Sequence, residues 1–267
     1  MDLRPLSAAT ASVALLVLMR LSPGRAQQAP PAPFAPGEVL AFDMSWSIFP
    51  AGQTVAKLLR HEEGNGDAYE VVTTARSQGF VSLLFNVQDE FHSFFDPQSL
   101  CSRRISKKIN EGRRHKVGEI FFDTQRGLAV LDERDLNKPK DPPKHAENAI
   151  PSCVQDVVSA FYYLRRQPLQ VGHPVRVPVN DGAKTYDVSV QVQAREKIQT
   201  PLGNLDAFRV EPKVFGDLYK RKGRMLIWIS DDEQRLPLRI KAMISVGSIT
   251  ATLRSVTNQP TDHPPAK

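Results

Sequence analysis

PSCVQDVVSAFYYLRRQP, residues 151–168, is the one stretch of this chain that carries the signals of a well-specified helix. Ser152 is placed to cap it, and Gln155 three residues later completes a capping box. Asp156 in the first turn and Arg165 and Arg166 in the last complement the helix dipole. Val154, Val157, Val158, Phe161 and Leu164 recur at three- and four-residue steps and make one apolar stripe. Pro168 ends it. The pattern predicts a helix over about residues 152–166.

Almost everything around that helix alternates with the period of a strand. Leu40, Phe42, Met44 and Trp46 interleave with Ala41, Asp43 and Ser45, the pattern of a half-buried strand. Pro50-Ala51-Gly52, Asn65-Gly66, Asn110-Glu111-Gly112, Asp181-Gly182 and Pro201-Leu202-Gly203-Asn204 supply turns between further alternating segments. Residues 79–87 (GFVSLLFNV) fit a short helix or a bulged apolar strand equally well over so short a length. Residues 133–149 (ERDLNKPKDPPKHAENA) read as a polar loop. Strands at regular spacing, one helix and no fixed repeat predict an all-β domain over residues 37–257. Its expected form is a large curved antiparallel sheet, a β-spiral or half-open barrel, with the helix packed on it.

The first residues bear on destination. Arg4 precedes an apolar run from Ala8 to Met19, and small residues surround Gly24-Arg25-Ala26. This is the form of a cleavable secretory signal over residues 1–26. The run is short of the roughly 20 residues of a membrane span, although an uncleaved anchor is the rival reading. No cysteine follows for lipid attachment, so a periplasmic protein that is not integral to the membrane is expected. Residues 27–36 form a Pro-rich linker, and residues 258–267 a polar tail. Removing residues 1–26 takes away Arg4, Arg20, Arg25 and Asp2, so the formal charge falls from +6 to +4. A mildly basic exported chain suits anionic envelope surfaces, and nucleic acid is not an expected partner.

Cys101 and Cys153 are the only cysteines. An even pair in an exported chain reads as a disulfide, here one that clamps the helix start to a distant strand. The alternative is a reactive thiol at the helix N-terminus, but there is no CxxC motif. Six histidines include no pair at metal-ligand spacing, and no metal or cofactor is expected. No GxSxG nucleophile turn or phosphate-binding glycine loop occurs, and no catalytic residue is assigned. Asp89 and Glu90 are the carboxylates for a hydrolase alternative acting on envelope glycans or esters, with one of them as general acid.

Two groups of side chains are candidates for binding. Arg103, Arg104, Lys107, Lys108, Arg113, Arg114 and Lys116 crowd one predicted hairpin and are expected to form a single patch toward an anionic surface. Phe42, Trp46, Phe91, Phe121, Phe161 and Trp228 lie in segments expected to curve, and are the candidates to line an apolar groove for a lipid-like or peptide ligand.

Several short pieces, in order, resemble a bacterial exported family catalogued only as domain of unknown function 3108. They are Gly37-Glu38 with the strand to Trp46, Pro50-Ala51-Gly52, Cys153-Val154-Gln155-Asp156 running into Ala160-Phe161-Tyr162-Tyr163-Leu164-Arg165, Thr200-Pro201-Leu202-Gly203, and Trp228 to Asp232 leading to Leu236-Pro237. The resemblance implies an all-β exported protein similar to spiral or half-open β-barrels of the envelope, and it carries over no catalytic residues. The function expected is a non-enzymatic binding or scaffold role, with an adaptor for another exported protein as a further alternative.

Overall fold

Fourteen strands and two short helices make up most of what the computed structural model describes, residues 32–63, 66–214 and 223–259. The expected signal over residues 1–26, residues 27–31 of the expected linker, Asn65 and the tail beyond Gln259 lie outside these residues. The first eight strands are β1 (Glu38–Trp46), β2 (Phe49–Glu63), β3 (Gly66–Ser77), β4 (Gln88–Phe95), β5 (Ser102–Glu111), β6 (Arg114–Asp123), β7 (Leu128–Asp135) and β8 (Lys144–Ala149). Helix α1 (Gly79–Leu84) stands between β3 and β4. Helix α2 (Ser159–Arg165) precedes β9 (Val175–Asn180), β10 (Thr185–Thr200), β11 (Gly203–Val214), β12 (Arg224–Ser230), β13 (Pro237–Met243) and β14 (Ser248–Asn258).

All fourteen strands form one sheet in the order β8-β7-β6-β5-β4-β3-β2-β1-β14-β13-β12-β11-β10-β9. The chain starts near the middle at β1 and meanders out to β8. It then crosses to the far edge at β9 and meanders back until β14 pairs with β1, from Glu38 opposite Asn258 to Trp46 opposite Ile249. Every ladder is antiparallel, and none joins β8 to β9, so the sheet is not closed into a barrel. The large antiparallel sheet read from the strand alternation is the observed fold. Lys144–Ala149, expected in a loop, is a strand because its backbone pairs with β7 from Leu128 opposite Ala149 to Glu133 opposite Lys144. An edge strand needs only one partner and little apolar content.

Side chains bring the two open edges together. Asn180 Nδ2 donates to Asn148 Oδ1 at 2.6 Å, and Thr185 Oγ1 donates to the Ala149 carbonyl at 2.9 Å. Gly182 in the β9–β10 turn has φ +101°, and a Cβ there would come within 2.9 Å of Ile120. Only glycine fits that approach to β6.

Residues 150–158 then run as a strap between the halves. Ser102 N–H donates to the Val154 carbonyl at 2.9 Å, Gln155 N–H to the Pro178 carbonyl at 2.8 Å, and Asn180 N–H to the Gln155 carbonyl at 2.8 Å. The Cys101–Cys153 disulfide ties the same strap to the β4–β5 connection. These bonds hold Val154 and Gln155 extended, which corrects the expected helix: it begins at Ser159, not near Ser152. Gln155 is buried against β9 and completes no capping box. Asp156 takes over the cap. Its Oδ1 accepts the Val158 and Ser159 N–H groups at 2.7 and 3.0 Å, and its Oδ2 accepts the Ser93 and Ser102 hydroxyls at 2.7 and 2.8 Å.

Helix α2 and the strap cover one face of the sheet, called here the inner face. Leu164 packs on Val177, Val190, Val210 and Ile227, while Tyr162 packs with Leu58, Val71 and Phe95. Val154 meets Ile105, Ile120 and Leu131. Leu40, Phe42, Trp228, Leu238 and Leu253 pack together around the central strands. Arg165, read as a last-turn charge complementing the helix dipole, is buried. Its guanidinium is bidentate to Glu38 at 2.7 Å and donates to the carbonyls of Arg235, Gln234 and Pro33. Phe34, in the expected linker, is also buried, edge-on to Tyr162 with ring centroids 5.0 Å apart.

Candidate functional site

Connections between strands are normally polar, because turn chemistry and solvent favour polar side chains there. Here, several connections are apolar. The β1–β2 turn presents Ile48 and Phe49, the β13–β14 turn presents Ile244 and Val246, and α1 with its C-cap presents Phe80, Leu83, Leu84 and Phe85. Ile48 is 85% and Leu83 84% exposed, and α1 has no buried residue. Exposed apolar side chains grouped in this way, called here the rim, mark interaction sites more often than isolated ones do.

Leu84 and Phe85 of this rim, with Ile244 and Val246, also line a groove of about 470 Å³, within the size range of small-molecule sites. Met44, Trp46, Ala75, Val81, Phe85 and Ile249 line it, and Arg76 and Glu111 are its only charged lining residues. It lies on the inner face, since Val71, Thr73 and Ala75 alternate on one side of β3 and Val71 packs beneath α2. Helix α1 is set over it by Gln78 N–H donating to the Ala51 carbonyl at 2.8 Å and Ser77 N–H to the Val87 carbonyl at 3.0 Å. Trp46 Nε1 donates to the Val246 carbonyl at 2.9 Å, which fixes the indole across the β13–β14 turn. Phe85 lies against Gly112, whose φ is +55° and where a Cβ would come within 2.9 Å of the ring.

Of the six aromatic candidates, only Trp46 lines this groove. Phe42 and Trp228 are buried in the core between the central strands, with Trp228 Nε1 donating to Glu196 at 2.8 Å. Phe91 and Phe161 are half-buried, packed against the clusters of Ile105 and of Leu164. Phe121 is on the outer face, 48% exposed, with the Arg104 guanidinium 5.9 Å from its ring. The physical reasons differ: the strap covers Phe91, Phe161 is part of α2 itself, Phe42 and Trp228 pack against strand residues such as Leu40 and Leu238, and Phe121 faces outward. The lining outside the six candidates sits mostly in strands β1–β3, in the β13–β14 turn and in α1 with its C-cap. In the turn and α1 its signal was apolar residues where turn chemistry calls for polar ones, above all in residues 79–87.

The basic hairpin does not form one patch. Strand alternation sends its side chains to both faces. Arg104 and Lys108 point outward, with Arg104 paired to Glu119 at 3.1 Å. Lys107 and Lys116 share the inner face with Ile105 and Ile120, and Arg114 follows them along β6. Arg103 pairs with Asp96 at 2.8 Å, and Arg113 is exposed in the β5–β6 turn. Inward-facing Lys107, Arg114, Lys116 and Lys144 line a second cavity of about 270 Å³ with Glu133 and Asp181.

Asp89 and Glu90 face opposite ways, Asp89 toward the inner face opposite Ala75 and Glu90 outward. Asp89 is buried, which pushes its carboxyl up against the lowering effect of the Asn110 N–H that it accepts at 2.8 Å. Glu90 is held down by its hydrogen bond to His92 at 2.8 Å. Burial opposes the charged form of His92, but its bonds to Glu70 and Glu90 outweigh this and raise it. Among the described residues no group of three or more His, Cys, Asp or Glu side chains is arranged to hold a metal. Among them, too, no helix is long and apolar enough to cross a membrane.

Known structures resemble this fold. A β-barrel-like protein of domain of unknown function DUF1849 from Brucella abortus matches at a TM-score of 0.55 and 10% identity, covering 83% of this chain and 97% of its own. A Bacteroides fragilis protein with a YmcC-like fold matches at a TM-score of 0.38 and 10% identity, covering 85% and 98%. No curated protein matches the sequence. The sequence model of one family spans residues 41–254, most of the sheet from β1 to β14, and the chain belongs to that family, DUF3108, proteins of unknown function.

Proposed function

We propose that this protein is an exported, non-enzymatic binding protein that holds the acyl chain of a lipid-like molecule in the groove beneath α1. The observation that carries this reading is the groove: an apolar channel of about 470 Å³ bordered by exposed apolar side chains of α1, its C-cap and the β13–β14 turn. An acyl chain needs apolar walls and no hydrogen-bond partners, and this lining offers that. A peptide docking by strand addition needs an unpaired sheet edge. The free edges are β8 and β9, whereas the groove is walled by the paired strands β1, β2 and β3. Export is supported by the signal-like residues 1–26 and by a disulfide, which persists in oxidising compartments.

The test is native mass spectrometry of the protein recovered from a bacterial periplasm, with organic extraction of what travels with it. A reproducible lipid-sized adduct is expected, and Ala75→Phe, which fills the groove, is expected to lose it. A bare mass after incubation with a total lipid extract would overturn the reading, as would an adduct that persists in the filled variant.

A further inference from the structure

The apolar groove and the charged inner cavity adjoin. Glu111 lines the groove and Arg114 lines the cavity; the two stand opposite each other in the β5–β6 ladder and pair at 3.1 Å. Ile109, one step along the same face of β5, also lines the cavity. The inner face is therefore amphipathic on the scale of one ligand, with apolar walls under α1 and cations next to them under β5–β8.

The cations outnumber the carboxylates there. Lys107, Arg114, Lys116 and Lys144 face Glu133 and Asp181. Lys116 is paired to Glu133 at 2.6 Å. The nearest polar partner of the Lys107 ammonium is the Asp181 backbone carbonyl at 3.4 Å, a long bond. No carboxylate oxygen lies within ion-pairing distance of Lys107 or Lys144 among the described residues. A partly buried ammonium without a counter-charge is costly unless something anionic completes it. Its desolvation also lowers its proton affinity, against the raising effects of Asp156, Asp181 and Glu133.

Resting on the acyl-chain reading above, we propose that the ligand is an anionic amphiphile whose phosphate-bearing headgroup sits in the Lys107–Arg114–Lys116–Lys144 cavity while its chain lies beneath α1. Phosphate suits this site because its several oxygens accept from separate ammonium and guanidinium donors at once. A cavity of about 270 Å³ is small for an acyl chain of its own, which favours a headgroup role beside the larger groove.

The experiment titrates full-length mature protein, below micelle concentration, with lysophosphatidylglycerol, with a monoacylglycerol of the same chain length, and with inorganic phosphate. Trp46 fluorescence reports occupancy of the groove. The anionic lipid is expected to bind at least about tenfold more tightly than the neutral one, and inorganic phosphate alone far more weakly than either. In Lys107→Met/Lys116→Gln that preference is expected to fall to within about twofold with the neutral lipid unchanged, a loss of about 1 kcal/mol. Arg114→Gln, at an exposed residue, is a second variant in which part of the preference is lost with no change in melting temperature. If both lipids bind equally well to the wild type, or the preference survives in both variants, the headgroup site is overturned and the groove stands. Inorganic phosphate binding as tightly as the lipid overturns the amphiphile. If neither lipid binds, the groove reading itself fails.

Discussion

Two buried charges do most of the single-residue fastening. Arg165 ends α2 and reaches Glu38 at the start of β1, with each guanidinium nitrogen hydrogen-bonded and the rings of Phe34 and Tyr162 4.9 and 5.3 Å from its guanidinium. Removing one member of a buried pair leaves the other uncompensated, so Arg165→Met and Glu38→Gln are each expected to lose about 3–5 kcal/mol. Urea unfolding measures this, and a loss below about 1 kcal/mol in both would show that the pair is not a structural fastening. Glu211 is the second. Burial works against its ionised form, but Arg224, at 2.9 Å to both of its oxygens, and Lys213 bring its pKa down to about 2. A depressed carboxyl contributes stability that is complete above its unfolded pKa and is lost as pH falls through the folded one. The window is therefore about pH 4.5 down to 2. The contribution is about 3 kcal/mol at most, because both cationic partners are partly exposed and screened. Melts of wild type and Glu211→Gln at pH 6 and pH 2.5 are expected to converge at the acid end. A gap that stays constant with pH would assign Glu211 a packing role alone.

At the scale of elements, the strap and α1 are opposites. The strap is over-determined: the disulfide, three backbone bonds to β5 and β9, and the Asp156 cluster all hold it. Its cysteines are 52 residues apart, and closing such a loop restrains the unfolded chain by about 4 kcal/mol in the chain-entropy model. Cys101→Ser/Cys153→Ser is expected to lower stability by up to that amount, and to speed amide exchange at Ser102, Gln155 and Asn180 beyond the general loss. Exchange that rises evenly over the whole sheet would mean that the disulfide does not act through the strap. Helix α1 buries none of its residues. Phe80→Ser/Leu83→Ser is therefore expected to change stability by less than about 0.5 kcal/mol, while reducing binding of a hydrophobic dye to the rim. A large stability loss would show that these side chains are core.

For the whole molecule, the topology sets both kinetics and local stability. The β1–β14 ladder joins residues more than 200 positions apart, and such non-local pairing slows folding. Amides of β1 and β14, bonded on both sides at the centre of the sheet, are expected to exchange last, and the outward amides of the edge strand β8 first. The reverse order would contradict the central pairing.

Much of this was legible in the chain. Period-two alternation in segments such as LAFDMSW (40–46) and the turn dipeptides specify strands locally, so a long antiparallel sheet follows from them. The pairing of two cysteines, and one short helix near Phe161–Leu164, follow from composition and pattern. What the chain could not disclose are outcomes settled by partners distant in sequence. Ser152 is a good cap in isolation, yet backbone bonds from Ser102 and Pro178 keep its neighbours extended and move the helix start to Ser159. Lys144–Ala149 has no strand pattern, but β7 supplies one. The basic hairpin looks like one patch until pleating divides it between two faces, and Arg165 reads only as a last-turn charge until Glu38, 127 residues away, meets it. The groove belongs to this second kind. Local sequence determines that strands form, because side-chain alternation is a local property. Only the tertiary structure decides which end of the inner face stays open, because that depends on where the strap and α2 stop covering it.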